Sequence, residues 1–266
     1  MTHTDSVIRS SVNPLLKAVR RAVRQRSPTP DGFAAAEGPH LLEEAYLGGA
    51  ELGAILVAEK ARPETEAIVA RLPPHAPLRR VAADLFATVA STETSQGVVT
   101  LVRLPERSLK DCLALGAPII ALDRVQDPGN VGTILRAAEA FGASGAVLLK
   151  GSASPFNPKT LRASAGSLFR LPFAAGVRAE KLVTAAREAA LTLLALSSGK
   201  GEDVSEIAVN EGAIFVIGSE AQGVGTEILE VAMPIRIPTR RVESLNAAMA
   251  ATVVLYEAAR QREAER

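Results

Sequence analysis

Apolar residues recur along the chain with two spacings, which predict alternating helices and strands. In the segment 11–26, apolar residues at helical spacing form one stripe beside a row of basic residues. Pro14 stands near the start of this segment, where its missing N–H costs little. The pattern therefore predicts an amphipathic helix that ends before the Pro- and Gly-containing run 27–32.

The next part of the chain alternates short apolar runs with amphipathic ones. The predicted elements are helices over 41–47 and 64–72, a helical turn over 84–89, and strands over 54–58, 79–82 and 97–103. Together with the first helix they predict a small α/β domain over 1–105, followed by a linker with mixed charges over 106–116.

The alternation restarts at residue 117 with stronger apolar runs and continues towards residue 266. The predicted elements are strands over 118–122, 146–149, 191–196 and 213–217, and helices over 131–141, 158–165, 179–190 and 244–262. Strands that alternate with helices form βαβ units. A second α/β domain with a mainly parallel sheet is therefore expected over 117–266.

Composition narrows the class of protein. The 266 residues are 47% hydrophobic and 22% charged, which excludes collagen-like, disordered and disulfide-scaffold proteins. Cys112 is the single cysteine and the three histidines are scattered, so no metal site is expected. No apolar run reaches the roughly 18 residues that span a bilayer, and no signal peptide is visible. A cytoplasmic protein without membrane contact is expected.

Basic residues cluster in one early segment of the chain, although the net charge is only +1. The segment 6–26 holds six basic residues and no acidic one. Such a basic arm suits contacts with phosphates, but it is equally compatible with a solvated helix face. Aromatic residues are only 3% of the chain, which argues against a broad base-stacking platform.

The loop 127–136 lies between a predicted strand and a helix, where parallel α/β folds place ligands. Asn130 suits a helix N-cap, and Gly132 allows a close approach to the backbone. Arg136 lies beyond the reach of a simple cap. The loop matches neither the dinucleotide fingerprint nor a P-loop, and by itself it is compatible with an ordinary strand-turn-helix.

Two further loops hold candidate binding groups. The loop 217–225 contains three glycines after an apolar strand, so its backbone groups could read an adenine edge, while Glu220 could merely cap nearby amides. In the loop 237–246, Ser244 can cap the terminal helix and leave first-turn N–H groups free beside Leu245 and Asn246. Each loop alone has a structural interpretation.

The three loops together resemble the motifs of the SpoU/TrmH family. The patterns are Asn-x-Gly-x-x-x-Arg at 130–136, Gly-x-Glu-x-x-Gly at 218–223, and Ile-Pro at 237–238 with Ser-Leu-Asn at 244–246. The run 159–168 also looks like the family's segment between the first two motifs. These proteins are S-adenosyl-L-methionine-dependent RNA ribose 2′-O-methyltransferases of the SPOUT class.

The resemblance implies a fold, a cofactor and an assembly. It implies a parallel-sheet α/β catalytic domain with a deep trefoil knot, an exception to the usual topology rules. The cofactor would be S-adenosyl-L-methionine, held by main-chain groups near Leu196, Gly218, Ile237 and Leu245. A homodimer through the knot regions would complete the active site. The N-terminal segment, with Glu37-Gly38-Pro39-His40-Leu41, resembles an α/β RNA-binding domain of the ribosomal-protein type.

The resemblance also assigns site residues. Arg136 would be the catalytic arginine, with Asn130, Glu220, Ser244 and Asn246 around it. One departure lies in the third motif, where many members have a Met after Ile-Pro and a Gly before the Val. Here the segment 239–241 reads Thr-Arg-Arg and is one residue shorter, and we expect the cofactor loop to be intact but the RNA contact to be altered.

Methylation of a ribose in 23S ribosomal RNA is the predicted function, because an RNA-binding domain precedes the catalytic one. The same reaction on tRNA is an alternative, and so is a non-catalytic RNA-binding or ribosome-assembly factor. The presence of Arg136 and Asn130 disfavours the non-catalytic factor. A Rossmann-type nucleotide enzyme fits poorly, because the first strand of the second domain does not lead into a Gly-rich turn.

Overall fold

The computed structural model describes residues 7–116, 118–199, 201–208, 212–242 and 244–264. Ser6, where the basic arm was predicted to begin, and residue 117, where the second domain was predicted to begin, lie outside the described residues. The chain forms two compact units. The first contains the chain up to Leu104 together with Phe156–Arg170, and the second contains Pro105–Pro155 and the chain from Leu171 onwards.

The first unit is a four-stranded sheet with helices. Its strands are β1 (Phe33–Glu37), β2 (Leu52–Ala58), β3 (Leu78–Val81) and β4 (Val98–Arg103), in the order β1-β4-β2-β3. β4 is antiparallel to both of its neighbours, and β2 and β3 are parallel. Its helices are α1 (Pro14–Gln25), α2 (Pro39–Leu47), α3 (Pro63–Val69) and α4 (Ala83–Phe86).

The predicted amphipathic helix is α1, which begins at Pro14 because the Asn13 side chain accepts a hydrogen bond from the Leu15 N–H at 3.0 Å. Its apolar stripe is buried against the sheet, and the buried residues are Leu16, Val19 and Ala22. The basic row therefore lies on the opposite, solvent-facing side of the helix.

A segment from the middle of the chain completes the first unit. It consists of α7 (Pro158–Ser164) and a 3-10 turn (Ser167–Phe169), and α7 packs against β1. Arg170 pairs with Glu44 at 2.9 Å, and Arg162 donates to the Ser91 hydroxyl at 2.7 Å. The run 159–168, which resembles a family motif, thus folds with the first unit. The predicted domain boundaries stay a prediction.

Ser91 also belongs to a buried polar network around Glu37. The Glu37 carboxylate accepts hydrogen bonds from Ser91 and from the Thr92 hydroxyl at 2.6 Å. Burial raises the pKa of Glu37, but the hydrogen bonds from Ser91, Thr92 and Ser95 outweigh burial and hold that pKa below its ordinary value of 4.5. The ionised carboxylate ties the 91–95 loop to the end of β1.

The second unit is a seven-stranded sheet in which every pair is parallel. Its strands are β5 (Ile119–Asp123), β6 (Gly145–Leu149), β7 (Phe173–Val177), β8 (Thr192–Leu196), β9 (Glu202–Asp203), β10 (Ala213–Gly218) and β11 (Met233–Arg236), in the order β7-β6-β5-β10-β8-β11-β9. The predicted α/β class and parallel sheet are confirmed.

Helices cover this sheet. They are α5 (Leu109–Leu113), α6 (Pro128–Ala140), α8 (Ala179–Glu188), α9 (Thr226–Leu229) and α10 (Ala247–Ala264). α6 packs against α10, whereas α8 packs against α5 and α9. Within the described ranges, no helix is long and apolar enough to cross a membrane.

β11 is inserted into the sheet between two earlier strands. It follows both β8 and β9 in the chain but pairs with each of them, and one connection joins those two strands. Gly201 in that connection lies against Pro234 so closely that a Cβ there would overlap the Pro234 backbone. The trefoil knot that the family resemblance implies stays a prediction.

Several elements were missed by the hydrophobic pattern. β1 (FAAAE) and β7 (FAAGV) are rich in small residues, and β9, β11, α5 and α9 are only two to five residues long. The predicted linker also contains structure, because α5 buries Cys112 and Leu113.

Burial raises the pKa of the Cys112 thiol to about 11, so the thiol stays protonated and packs as an apolar group.

Candidate active site

A cleft of about 600 Å³ opens at the carboxyl ends of β8, β10 and β11 in the second unit. This edge of a parallel sheet is where α/β folds bind ligands. Three chain segments and the start of α10 form its walls. The lining includes Leu196–Gly199 after β8, Ile217–Gly223 after β10, Ile237 and Thr239 after β11, and Ser244–Ala247.

Of the nine predicted site residues, all except Arg136 line this cleft or form a hydrogen bond with a residue that lines it. Leu196, Gly218, Ile237 and Leu245, assigned to cofactor binding, all line the cleft. Three residues assigned to catalysis line it too, and they are Glu220, Ser244 and Asn246.

Asn130 joins this group through hydrogen bonds. Its side-chain amide donates to a carboxylate oxygen of Glu220, and its carbonyl oxygen accepts from Asn246 Nδ2 at 3.3 Å. Asn130 therefore links the loop after β10 to the start of α10. Glu220 accepts from a side chain of α6, rather than capping the amides of its own turn.

Arg136 stands apart from this cluster. It is exposed on α6, six residues after Asn130 and thus about 9 Å further along the helix axis. Its guanidinium makes no hydrogen bond or ion pair with any residue that the structure describes. The remaining predicted catalytic residues share one network or one cleft, and Arg136 does not.

Two predicted caps were wrong. Asn130 was expected at the N-cap of its helix, but Asp127 caps α6 and its carboxylate accepts from the Asn130 N–H at 2.9 Å. Ser244 was expected to cap the terminal helix, but α10 begins at Ala247 and the Asn246 side chain accepts from the Ala248 N–H at 2.8 Å. Because Asp127 occupies the capping position of α6, the Asn130 side chain is available to bond to Glu220.

The loop 218–225 folds tightly on itself. The Gly223 N–H donates to the Ser219 carbonyl at 2.8 Å, and the Gln222 N–H donates to the Ser219 hydroxyl at 3.1 Å. Gly218 lies directly against the backbone of Gly223 and Val224, so a side chain at residue 218 has no room. Gly223 has a φ of +68°, which a side chain rarely adopts.

Sequence reasoning missed several residues of this region. Ser197, Ser198 and Gln222 line the cleft, and Asp123 and Arg124 lie beneath the loop 218–225. Asp123 was detectable in principle as the only charged residue of an otherwise apolar strand. Within the described part of the chain, no group of three or more His, Cys, Asp or Glu could hold a metal ion.

The cleft fits the expected cofactor. Its volume lies within the usual range for small-molecule sites. The apolar side chains of Ile217, Leu229, Ile237 and Leu245 can enclose a planar base, and the loop glycines expose backbone donors and acceptors. The Glu220 carboxylate at the cleft is complementary to the positive charge of a sulfonium.

The first unit carries a basic groove on α1. Lys17, Arg20, Arg21, Arg24 and Gln25 line this shallow groove, whose volume is about 330 Å³. Arg20 is held in place, because its Nε donates to the Thr88 hydroxyl at 2.8 Å and its Nη1 to the Ser11 carbonyl at 3.0 Å. The side chains of Lys17 and Arg24 pair with no described residue and are exposed.

α10 presents an exposed apolar stripe on the second unit. Met249, Val253 and Tyr256 follow one another at helical spacing and are 59%, 37% and 53% exposed. The Tyr256 ring contacts the edge of Phe141 after α6, with ring centroids 5.8 Å apart. Large apolar side chains gathered on one helix face are typical of an interface.

Two family models match the chain. The model of the SpoU rRNA methylase family matches residues 117–256, and the model of the MRM3-like substrate binding domain matches residues 13–100.

Similar proteins extend over nearly the whole chain. A tRNA/rRNA methyltransferase of Synechocystis, described as uncharacterized, is 34% identical over 98% of this chain and 96% of its own length. The 23S rRNA (guanosine(2553)-2′-O)-methyltransferase RlmP of Bacillus subtilis is 31% identical over 94% of this chain and 97% of its own.

A solved structure has the same fold. The SpoU methyltransferase AviRb of Streptomyces viridochromogenes, crystallised in complex with the cofactor AdoMet, is 26% identical. It superposes with a TM-score of 0.80 over 96% of this chain and 100% of that chain.

Proposed function

Because this chain belongs to the SpoU rRNA methylase family and is an S-adenosylmethionine-dependent RNA ribose 2′-O-methyltransferase, we propose that its substrate is 23S rRNA. The proposal is supported by the match to a substrate-binding domain ahead of the methylase domain and by the 23S rRNA named for the Bacillus relative. A cytoplasmic place of action follows from that substrate. Methylation of tRNA is the alternative outcome.

The cleft after β8, β10 and β11 is the proposed cofactor site. The observation that carries this proposal is that Leu196, Gly218, Ile237 and Leu245, drawn from four separate segments, all line one cavity. When bound, S-adenosylmethionine supplies a methyl group that is already activated on a sulfonium. The protein therefore has to align the ribose hydroxyl with that methyl group and provide a route for the hydroxyl proton.

The side chains around the cleft suit this task. Glu220 and Asn130 form a hydrogen-bonded pair at its edge, and Asn246 links Asn130 to α10. We assign this trio to orienting the target ribose and relaying its proton, with Ser244 beside it on the cleft wall. A carboxylate held by an amide is a competent hydrogen-bond acceptor for a hydroxyl.

Arg136 has a different proposed role. A charged guanidinium has hydrogen-bond donors but no acceptor, so it is a poor general base. We assign it to holding the phosphate beside the target ribose and to offsetting the charge that builds on the ribose oxygen. Its exposure and its lack of a partner among the described residues are compatible with a site that is completed by RNA and a second subunit.

Titration calorimetry tests the cofactor site and the reaction class. We expect S-adenosylmethionine and S-adenosylhomocysteine each to bind at one site per chain. Mapping of ribose methylation in 23S rRNA and tRNA from a deletion strain should then show one missing 2′-O-methyl group, in 23S rRNA. A missing group in tRNA would select the alternative substrate, and failure to bind either ligand, with and without RNA, would overturn the cofactor site.

The basic groove on α1 is proposed to bind RNA phosphates. Replacing Lys17 and Arg24 together by Gln removes two exposed cations from the groove. We expect weaker RNA binding and a slope of log K against log salt that is shallower by between about one and two units. The measurement is RNA binding by fluorescence anisotropy at several salt concentrations. The control is Arg79→Gln, which removes an exposed cation elsewhere in the same unit. If the double variant changes the salt slope no more than this control does, the basic row is a solvated helix face and not an RNA contact.

A homodimer through α10 is the proposed assembly. Its support is the stripe of Met249, Val253 and Tyr256, together with the implied homodimer of the family. Met249→Glu places a charge in the stripe, so we expect a dimeric wild type and a monomeric variant in sedimentation equilibrium. Glu263→Gln, exposed near the end of the same helix, should remain dimeric. A monomeric wild type, or a dimeric Met249→Glu, would contradict this interface.

A further inference from the structure

Beneath the glycine loop 218–225 lies a buried carboxylate that no motif includes. Asp123 is the last residue of β5 and stands opposite Gly218 in the register with β10. Its side chain is only 6% exposed. Its Oδ2 accepts a hydrogen bond from the Gly225 N–H at 2.7 Å, so the carboxylate anchors the far end of the loop.

Arg124 extends this anchor to the middle of the loop. Its Nε lies 3.2 Å from Asp123 Oδ1 and its Nη2 lies 3.3 Å from Oδ2, so the two side chains form an ion pair. Its Nη1 donates to the Gln222 Oε1 at 3.4 Å, and Gln222 lines the cleft. Neither Asp123 nor Arg124 lines the cleft itself.

The backbone is shaped to keep Arg124 in this place. Arg124 has a φ of +58°, an unfavourable conformation for a residue with a side chain. A Cβ on Gly225 would lie 3.0 Å from Arg124 Nη2 and 3.1 Å from Asp123 Oδ2, and one on Gly151 would lie 3.0 Å from Arg124 Cγ. Gly225 thus leaves room for the Arg124 guanidinium, and Gly151 leaves room for the aliphatic part of the same side chain.

We propose that Asp123 and Arg124 are positioning residues, which hold the loop 218–225 in the shape that accepts the cofactor. The inference rests on the proposed cofactor site. The loop's own hydrogen bonds, between Ser219, Gln222 and Gly223, close it on itself but do not fix it to the sheet. Asp123 and Arg124 supply that fixation, so the cost of ordering a glycine-rich loop is met before the cofactor binds.

The two side chains are expected to act as one unit. Asp123→Asn removes the charge that orients Arg124, and Arg124→Gln removes the contact with Gln222. Each variant should weaken S-adenosylmethionine binding by tenfold or more, and the double variant should bind no more weakly than the weaker single one. Gly225→Ala, whose backbone conformation suits alanine, should displace the pair and weaken binding in the same direction.

The experiment combines titration calorimetry with steady-state kinetics on the full-length protein. A positioning role predicts a higher Kd and KM for S-adenosylmethionine, with kcat at saturating cofactor within about twofold of wild type. A merely structural role would lower the melting temperature and the binding stoichiometry but leave the Kd of the folded fraction unchanged. Arg124→Lys, which can pair with Asp123 but cannot also span to Gln222, should be intermediate.

Controls separate this inference from the cofactor site. Arg80→Gln breaks an ion pair with Glu66 in the first unit and should leave the Kd unchanged. Leu245→Glu places a charge in the cleft and should abolish binding. If wild type binds and both Asp123→Asn and Arg124→Gln bind within twofold of it, the positioning role is overturned and the cofactor site stands. If the wild type does not bind S-adenosylmethionine, both the cofactor site and the positioning role are overturned. If Asp123→Asn does not fold, Arg124→Gln decides, because its side chain is 36% exposed.

Discussion

Gly218→Ala is expected to weaken S-adenosylmethionine binding by tenfold or more. Gly218 ends β10 and lies against the backbone of Gly223 and Val224, where a single methyl group would overlap main-chain atoms that cannot rotate away. The loop would have to open to admit it, and the cleft wall would move with the loop. Because overpacking costs about 1–3 kcal/mol, we expect the Kd to rise by tenfold to on the order of a hundredfold, measured by titration calorimetry.

The same loop provides a matched control. Gly223→Ala also adds one methyl group, but a Cβ at residue 223 meets no atom within 4 Å. Its cost to the folded loop comes from the φ of +68° and is roughly 1 kcal/mol, so we expect the Kd to rise by less than about tenfold. Equal losses in both variants would mean that backbone freedom, and not the close approach of Gly218, governs the loop.

Arg136→Ala is expected to lower kcat for methyl transfer by about a hundredfold to a thousandfold, the usual loss when a group that stabilises developing charge is removed. S-adenosylmethionine binding should be unchanged, because Arg136 does not line the cleft. Methyl transfer from labelled cofactor into rRNA measures kcat, and calorimetry measures cofactor binding. The control is Arg178→Gln, which removes an exposed cation outside the site and should leave both kcat and cofactor binding unchanged.

Arg136→Lys separates two roles for the arginine. A phosphate-holding cation is partly replaced by lysine, so we expect partial activity with the pH dependence of the wild type. A general base would behave differently, since a lysine loses its proton at lower pH than an arginine and the rate would rise with pH accordingly. A new rise of rate with pH in Arg136→Lys, with unchanged RNA binding, would contradict the electrostatic role.

The sequence indicated which loops line the cleft better than it indicated the helix caps beside them. Three loops with polar or glycine-rich signatures follow strands, and a parallel sheet gathers strand ends at one edge. Gly218, Glu220 and Asn246 therefore lie along one cleft. The caps were less predictable, because Asp127 and Asn130 are equally good cap residues by type and only the backbone path decides between them.

Contacts between residues that are far apart in the chain could not be predicted from the local sequence pattern. The strand FAAAE has too few large apolar residues to stand out, and its pairing with β4 depends on residues about 60 positions away. Asp123 reads as an isolated charge at a strand end until the fold brings it to Gly225, about 100 residues further along the chain. The insertion of β11 between β8 and β9 and the packing of α7 on β1 likewise come from tertiary structure, which hydrophobic periodicity does not encode.

The composite first unit has a consequence for synthesis on the ribosome. Its sheet is finished at Leu104, but α7 is complete only at Ser164, 60 residues later, and Arg170 follows 66 residues after Leu104. At about 5–20 residues per second, synthesis of the sheet precedes completion of α7 by roughly 3–12 seconds. During that interval Ser91 lacks Arg162 and Glu44 lacks Arg170. β1 therefore stays without the helix that packs against it until well after the rest of its own sheet has been synthesised.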